Sequence, residues 1–308
     1  MRVIDSHVHL YPAEVDLDPA GWAQRHGERH WATLCTRRRR DGRPVQSLPT
    51  LPALLAAMDA AGVEKAVLLG WYWETPECCA WQNRFYAQCV RAHPDRLAAC
   101  ATIHPAAGPE QVRAELVRAH EEGLRGLGEL SPHSQGYSAS DPVLADALAL
   151  AADYGWPVNL HVTDPDTRPF PGKIETPLED FVGLAQRFPH TRFILAHWGG
   201  LLPLRKPLNR DTESPVPLGG PETPPPDLPN VYYDTAASPL LYDATIWQRF
   251  RAVVPDARVL YGSDYPLNLY PRVAVEAEMM RLIEEARAGG ASERLLSGTA
   301  EELFFRAS

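Results

Sequence analysis

Two histidines stand two residues apart near the start of the chain, in Asp5-Ser6-His7-Val8-His9. On an extended strand, residues i and i+2 share a side, so both imidazoles can serve one metal ion. H-x-H alone is a weak signal. Three further places add to it: one apolar run ends in His161, another in His197, and a third is followed at once by Asp264. Four histidines and a carboxylate form a nitrogen/oxygen donor set suited to zinc, manganese or iron. A divalent ion lowers the pKa of its bound water from about 15.7 to about 7 and polarises a carbonyl. Asp264 could then ligate the ion and accept a proton, and His197, neutral near pH 7, could take or return one. Singly, each histidine reads as a hydrogen-bonded core residue and Asp264 as a helix N-cap. Five such residues at corresponding places argue for a site. Asp5 shares the parity of His7 and lies where it can orient a ligand.

The elements that must position these residues are eight short apolar runs, near 2–6, 65–70, 97–103, 124–130, 157–162, 192–197, 230–235 and 258–263. Most are continuous rather than alternating, as in strands covered on both faces. Helical patterns lie between them. Leu51, Leu54, Leu55 and Met58 follow the i, i+3, i+4, i+7 rule, with Thr50 as N-cap and Gly62 as stop. Val143, Leu144, Ala147, Leu148 and Ala151 do the same after Ser140. Thr176-Pro177-Leu178-Glu179 reads as a capping box. Strand–helix alternation repeated eight times predicts an α/β fold, a single (β/α)₈ TIM barrel spanning 1–308. All strand ends then ring one mouth. Two segments break the rhythm and are expected to be long loops after strands 1 and 6: residues 10–50, and residues 203–229 with nine prolines.

Length and composition agree. The chain has 308 residues, 45% of them hydrophobic and 22% charged, and a net charge of −9. One barrel with insertions needs about this length. Disorder of the whole chain is excluded. The acidic balance argues against a nucleic-acid partner. No apolar run reaches the roughly 20 residues of a membrane span, and no secretory signal is visible. The five cysteines are odd in number and form no C-x-x-C pair, so a cytoplasmic protein without disulfides is expected.

The motifs Asp5-Ser6-His7-Val8-His9, Asn159-Leu160-His161, Ala196-His197-Trp198-Gly199-Gly200 and Tyr261-Gly262-Ser263-Asp264-Tyr265-Pro266 jointly resemble the amidohydrolase superfamily. The branch resembled is the one that includes aminocarboxymuconate-semialdehyde decarboxylase and γ-resorcylate decarboxylase. Leu296-Ser297-Gly298-Thr299-Ala300 looks like that family's closing G-N-A motif, with threonine in place of asparagine. The resemblance runs from residue 2 to about 305. It implies a distorted barrel with a divalent metal, zinc foremost and manganese as the alternative. It also implies His7, His9, His161 and Asp264 as ligands, with His197 as acid/base or as a further ligand.

Glu129 ends the fourth run, in Gly126-Leu127-Gly128-Glu129. In TatD-type relatives a glutamate at this place bridges two metals. One ion would then use His7, His9 and Asp264, and the other His161 and His197. The alternatives are a hydrogen bond to a ligand histidine, or a salt bridge with Arg125 or a lysine. A bridged pair favours hydrolysis of an amide, ester, lactone or phosphate. A single ion leaves non-oxidative decarboxylation of an unsaturated or aromatic acid equally open, and a barrel without catalysis is a third reading. Trp71, Tyr72 and Trp73 after the second run and Tyr137 after the fourth suggest a planar, small-molecule substrate. Arg168 is the candidate for a substrate carboxylate. The run Arg37–Arg40 is a solvated face, or a substrate or subunit contact. A homodimer is compatible with the resemblance.

Overall fold

In a computed structural model, which describes residues 1–205 and 228–306, the eight apolar runs are eight parallel strands. They are β1 (Ile4–Val8), β2 (Lys65–Leu68), β3 (Leu97–Ala101), β4 (Gly126–Leu130), β5 (Pro157–Leu160), β6 (Arg192–Leu195), β7 (Val231–Asp234) and β8 (Val259–Leu260). Each pairs with its sequence neighbour in the order β1 to β8. Backbone bonds close the ring between its ends: Ser6 N donates to Tyr261 O (2.8 Å), Asp264 N to His7 O (2.9 Å) and His9 N to Tyr265 O (2.7 Å). This is a TIM barrel.

The strands are continuous apolar runs because helices cover the outer face while the barrel fills its own interior. Val8, Leu68, Leu127, Val158 and Leu195 are fully or almost fully buried. The helices after the insertion are α4 (Leu51–Ala61), α5 (Pro76–Ala92), α6 (Pro109–Glu121), α7 (Pro132–Gln135), α8 (Pro142–Asp153), α9 (Leu178–Arg187), α10 (Ser238–Leu241), α11 (Ile246–Arg251) and α12 (Met280–Ala288). Thr50 caps α4 through its side chain, and Gly62 ends it in the left-handed conformation, as the sequence predicts. α8, which the pattern puts after Ser140, is capped by the Asp141 side chain. One cap reading is corrected. Thr176 makes no capping box, because its hydroxyl is bound to Thr163 N (2.7 Å) instead.

The expected loop at residues 10–50 is partly helical: its first part folds as α1 (Ala13–Leu17), α2 (Pro19–His26) and α3 (Arg29–Cys35) beside the mouth, and residues 36–50 remain a loop. Tyr11, Trp22 and Trp31 of this insertion pack with Trp73, Cys78 and Cys79 into a second apolar core. The buried Glu28 carboxylate ties the insertion down, accepting from the amides of Glu74 and Thr75. Of the proline-rich segment 203–229, most lies outside the described residues. No described helix is long and apolar enough to cross a membrane, and all five cysteines are free and buried.

Candidate metal centre at the barrel mouth

Every strand end named from the sequence delivers its residue to one place. His7 and His9 leave the end of β1, and Glu129 lies on β4. His161 follows β5, His197 follows β6 and Asp264 follows β8. The backbone is shaped to bring them there. His197 (φ 57°) and Asp264 (φ 69°) both sit in the left-handed region. That costs a non-glycine residue roughly 1–2 kcal/mol, and such strain collects at functional sites. Gly128 must be a glycine: at φ +128° an added Cβ would lie 2.4 Å from Asn159 O.

The donor atoms form two groups that share one carboxylate. In the first, His7 Nε2 and His9 Nε2 are 3.2 Å apart. Glu129 Oε2 lies 3.7 and 3.6 Å from them, and Asp264 Oδ1 3.7 and 3.5 Å. In the second, Glu129 Oε1 lies 2.9 Å from His161 Nδ1 and 3.6 Å from His197 Nε2. The two imidazoles are 3.2 Å apart. The two oxygens of Glu129 therefore face one histidine pair each.

The chemistry of the first group fits a divalent cation. His9 Nδ1 is bound to Leu69 O (3.1 Å), an acceptor only, so Nδ1 carries the proton and Nε2 is bare. His7 Nδ1 donates to the Asp234 carboxylate (2.9 Å). Two inward nitrogens 3.2 Å apart, backed by outward donors, need a proton or a cation between them. Bonds of about 2.0–2.2 Å put neighbouring ligand atoms roughly 3.0–3.7 Å apart, the spacing found.

Without a cation the field of the carboxylates sorts the protons. Burial opposes the charged form of His7, but Asp234, Glu129 and Asp264 outweigh it and push the group up to about 10. Burial, and next the charge of His7, push His9 down to about 3. Burial opposes ionisation of Glu129, yet the imidazoles of His161 and His7 hold it well below the usual carboxylate range. Burial raises Asp264 to about 6.

Asp234 is the buried residue that the sequence reading missed. Its Oδ2 accepts from His7 Nδ1 and Asn159 Nδ2 (3.1 Å), and its Oδ1 from the amides of His197 and Ala236 (3.0 Å each). One carboxylate thus orients a histidine of the first group and fixes the turn that carries a histidine of the second. The available signal was an aspartate ending the seventh apolar run, in Val231-Tyr232-Tyr233-Asp234.

A cavity of about 260 Å³ opens over the cluster, near the lower end of ligand-pocket sizes. Of the aromatic residues named from sequence, Trp71 and Tyr72 line it, the Trp71 ring 5.2 Å from that of His9. The Tyr72 ring lies 4.9 Å from the His161 ring. Trp73, Tyr137 and Arg168 do not line it. Trp73 is fully buried in the second core and donates to Gln82 Oε1 (2.7 Å). Tyr137 donates to Gln135 Oε1 (3.2 Å), and Arg168 is exposed on the loop after β5. The cationic lining comes instead from Arg37, in the insertion, and from Lys173.

The family follows from comparison with known proteins. An amidohydrolase family model matches residues 4–306. The chain belongs to the amidohydrolase family. It is an enzyme of that metal-dependent family, with a His/His/Glu group able to hold the ion. No curated protein matches the sequence. Solved structures share the fold over nearly the whole chain. A 5-carboxyvanillate decarboxylase from Sphingomonas paucimobilis is 17% identical, covers 99% of each chain and gives a TM-score of 0.70. A second 5-carboxyvanillate decarboxylase, from Novosphingobium aromaticivorans, is complexed with manganese and 4-hydroxy-3-methoxy-5-nitrobenzoic acid. It is 16% identical, covers 98% of this chain and 95% of its own, and gives 0.66. A probable 2-pyrone-4,6-dicarboxylic acid hydrolase from Acinetobacter baumannii is 14% identical, covers 98% and 99%, and gives 0.58.

Proposed function

We propose that this amidohydrolase hydrolyses a small, planar, carboxylate-bearing substrate at an ester, amide or lactone bond, using two divalent ions. The observation that carries the reading is Glu129, whose two oxygens each face a separate histidine pair. His7, His9 and Asp264 would hold one ion, His161 and His197 the other, with Glu129 shared. Zinc and manganese both suit these donors, and either supplies an activated water and a polarised carbonyl when bound. Asp264, at the mouth of the cluster, would accept the proton that such a water gives up.

The substrate carboxylate is assigned to Arg37 rather than to Arg168. Arg37 lines the cavity, and its Nε is buried without a hydrogen-bond partner among the described residues. A carboxylate would satisfy that donor. Trp71 and Tyr72 stack on each other at 4.4 Å and form a wall against which a planar group can lie.

A second reading is non-oxidative decarboxylation of an aromatic acid. It is favoured by the two decarboxylases of the same fold, one with manganese and an aromatic acid.

The test is metal content per chain in metal-reconstituted protein, wild type and Glu129→Ala. A value near two that falls to about one in the variant supports hydrolysis. A plateau near one, indifferent to Glu129, overturns the two-ion reading. Carboxylated lactones and aryl esters, assayed beside hydroxybenzoic acids for released carbon dioxide, then separate the reactions.

A further inference from the structure

The run Arg37–Arg40, which the sequence leaves open as a solvated face or a contact, is one arm of a hairpin-like turn in the loop after α3. Arg39 N donates to Arg43 O (2.8 Å) and Val45 N to Arg37 O (3.0 Å). Arg38 faces Pro44 in an antiparallel bridge. Arg40 and Asp41 make the turn, which Gly42 closes in the left-handed region at φ +84°. The base of the hairpin belongs to the cavity: Arg37, Val45 and Gln46 line it. Gln46 also pairs with Leu267, on the segment that follows Asp264, which fixes this base beside the metal cluster. The tip lies outside the cavity, with Arg38, Arg40, Asp41 and Arg43 exposed.

The hairpin is strongly charged. Residues 37–45 hold five arginines against one aspartate, a net charge of +4 in a chain whose net charge is −9. The fold draws little from these side chains. Arg38 donates to Gly42 O (2.9 Å) and Arg43 lies 3.7 Å from Asp41, contacts in open solvent that are worth little. The loop after β5, another part of the cavity wall, offers no bare carboxylate to cancel the field. Asp164 and Asp166 are paired with Arg205 (2.5 and 2.8 Å), and Glu175 with Lys173 (3.1 Å).

We propose that this hairpin is an electrostatic guide, which draws an anionic substrate to the lip of the cavity and delivers its carboxylate to Arg37. The guide deepens the acid-substrate reading and rests on it. Arg37 Nε, buried without a partner among the described residues, is the receiving group at the base. Charge of one sign beside a cleft raises association rates by about 10–1,000-fold. Charges at a rim act on association, because the ligand passes them without staying. Arg40 and Arg43, outside the cavity, serve the approach; Arg37, inside it, serves residence. Salt separates the two roles, since the field of an exposed charge reaches about 30 Å at 0.01 M salt and about 3 Å at 1 M.

Two probes of one shape test the guide: 4-fluorobenzoate, an anion, and 4-fluorobenzamide, which is neutral. Fluorine NMR relaxation dispersion gives association and dissociation rates for each on zinc-loaded protein, at 10 mM and 1 M salt. The proteins are wild type, the double variant Arg40→Gln with Arg43→Gln, and Asp41→Asn. Melting temperature and metal content report on folding. At 10 mM salt, benzoate association should slow at least threefold in the double variant and quicken in Asp41→Asn. Its dissociation should stay within twofold, the differences should vanish at 1 M salt, and the amide should not respond. Benzoate association equal in all three proteins overturns the guide while the acid reading stands. Faster dissociation at constant association also overturns it, because the arginines then hold the ligand, as does equal slowing of the amide, which reports a change of shape. Wild type that binds the amide and not the benzoate sinks the acid reading, and the guide falls with it.

Discussion

At the scale of single residues, the site is held by groups that touch no substrate. Asp234 is fully buried and accepts four hydrogen bonds, one of them from His7 Nδ1. A carboxylate behind a ligand histidine fixes the tautomer and raises the basicity of the inward nitrogen; losing it costs about 10–100-fold in metal affinity. Asp234→Asn is therefore expected to weaken zinc or manganese by that factor, read by competition with a chromophoric chelator, while circular dichroism stays native. Unchanged affinity would remove Asp234 from the site. Asp5 makes a second prediction. It is fully buried, its Oδ1 accepts from Ser263 N (2.9 Å) and His7 N (3.2 Å), and its Oδ2 has no partner. Burial outweighs those bonds and raises the carboxyl to about 6. In the unfolded chain it titrates near 3.9. Between about pH 4 and 6 the unfolded chain has released this proton and the folded chain keeps it. The contribution of Asp5 therefore favours folding at the acid end and falls as pH rises through that window, by on the order of 2–3 kcal/mol. His9 and Glu129, whose shifts are downward, contribute with the opposite sign, so the Asp5 share is read as the difference between wild type and Asp5→Asn in urea unfolding of metal-free protein at pH 4.5 and 7: wild type should lose stability relative to the variant as pH rises. A slope unchanged in the variant would refute the assignment.

At the scale of elements, the strands were legible and the pieces between them less so. Buried parallel strands must be apolar on both faces, so each β-strand shows as a short continuous run, and the polar residue that ends it stands out. Hence His7, His9, Glu129, His161, His197 and Asp264 could all be named. Asp234 ends a strand too, but with Tyr232 and Tyr233 beside it the run is less plainly apolar than the others, and an aspartate there stands out less. The insertion hid because α1, α2 and α3 have only 5, 8 and 7 residues, too few turns for a helical period to declare itself. With it hid the partners of Trp73 and the place of Arg37, which lines the cavity together with Lys173 while Arg168 does not. The turn after β6 was equally opaque. Trp198, Gly199, Gly200 and Leu201 run consecutively in the left-handed region, φ 57–60°, and sequence pattern does not encode handedness beyond the two glycines. Gly199 carries a prediction. A Cβ there would lie 2.6 Å from the Tyr233 ring, and the backbone already has φ +57°. Gly199→Ala should therefore destabilise the protein by about 2 kcal/mol or more and displace His197, lowering metal content together with the melting temperature. A variant as stable and as metal-rich as wild type would show that this turn relaxes freely.

At the scale of the molecule, the proposed centre lies across the seam of the barrel. The chain closes by bonding its first strand to its last, and β8 has only two residues. The seam bonds Ser6 N to Tyr261 O, Asp264 N to His7 O and His9 N to Tyr265 O run through the residues that would hold the first ion. His7 and His9 come from one side of the seam and Asp264 from the other, so a shared cation cross-links positions about as far apart in sequence as the fold allows. Its binding free energy then appears as resistance to opening at the seam. At a free concentration 1,000 times Kd, an ion that binds only the folded state adds about 4 kcal/mol, raising the melting temperature by roughly 5–10 °C for a chain of this size. Chelation should reverse the gain. Amide hydrogen exchange locates it: the slowing on metal addition should be greatest at Ser6, His9 and Asp264, and small at the β2–β3 ladder of Ala66–Leu68 with Leu97–Ala99, whose strands carry none of the proposed ligands. Stabilisation spread evenly over the eight strands would mean that the ion braces the barrel as a whole and that the seam closes without it.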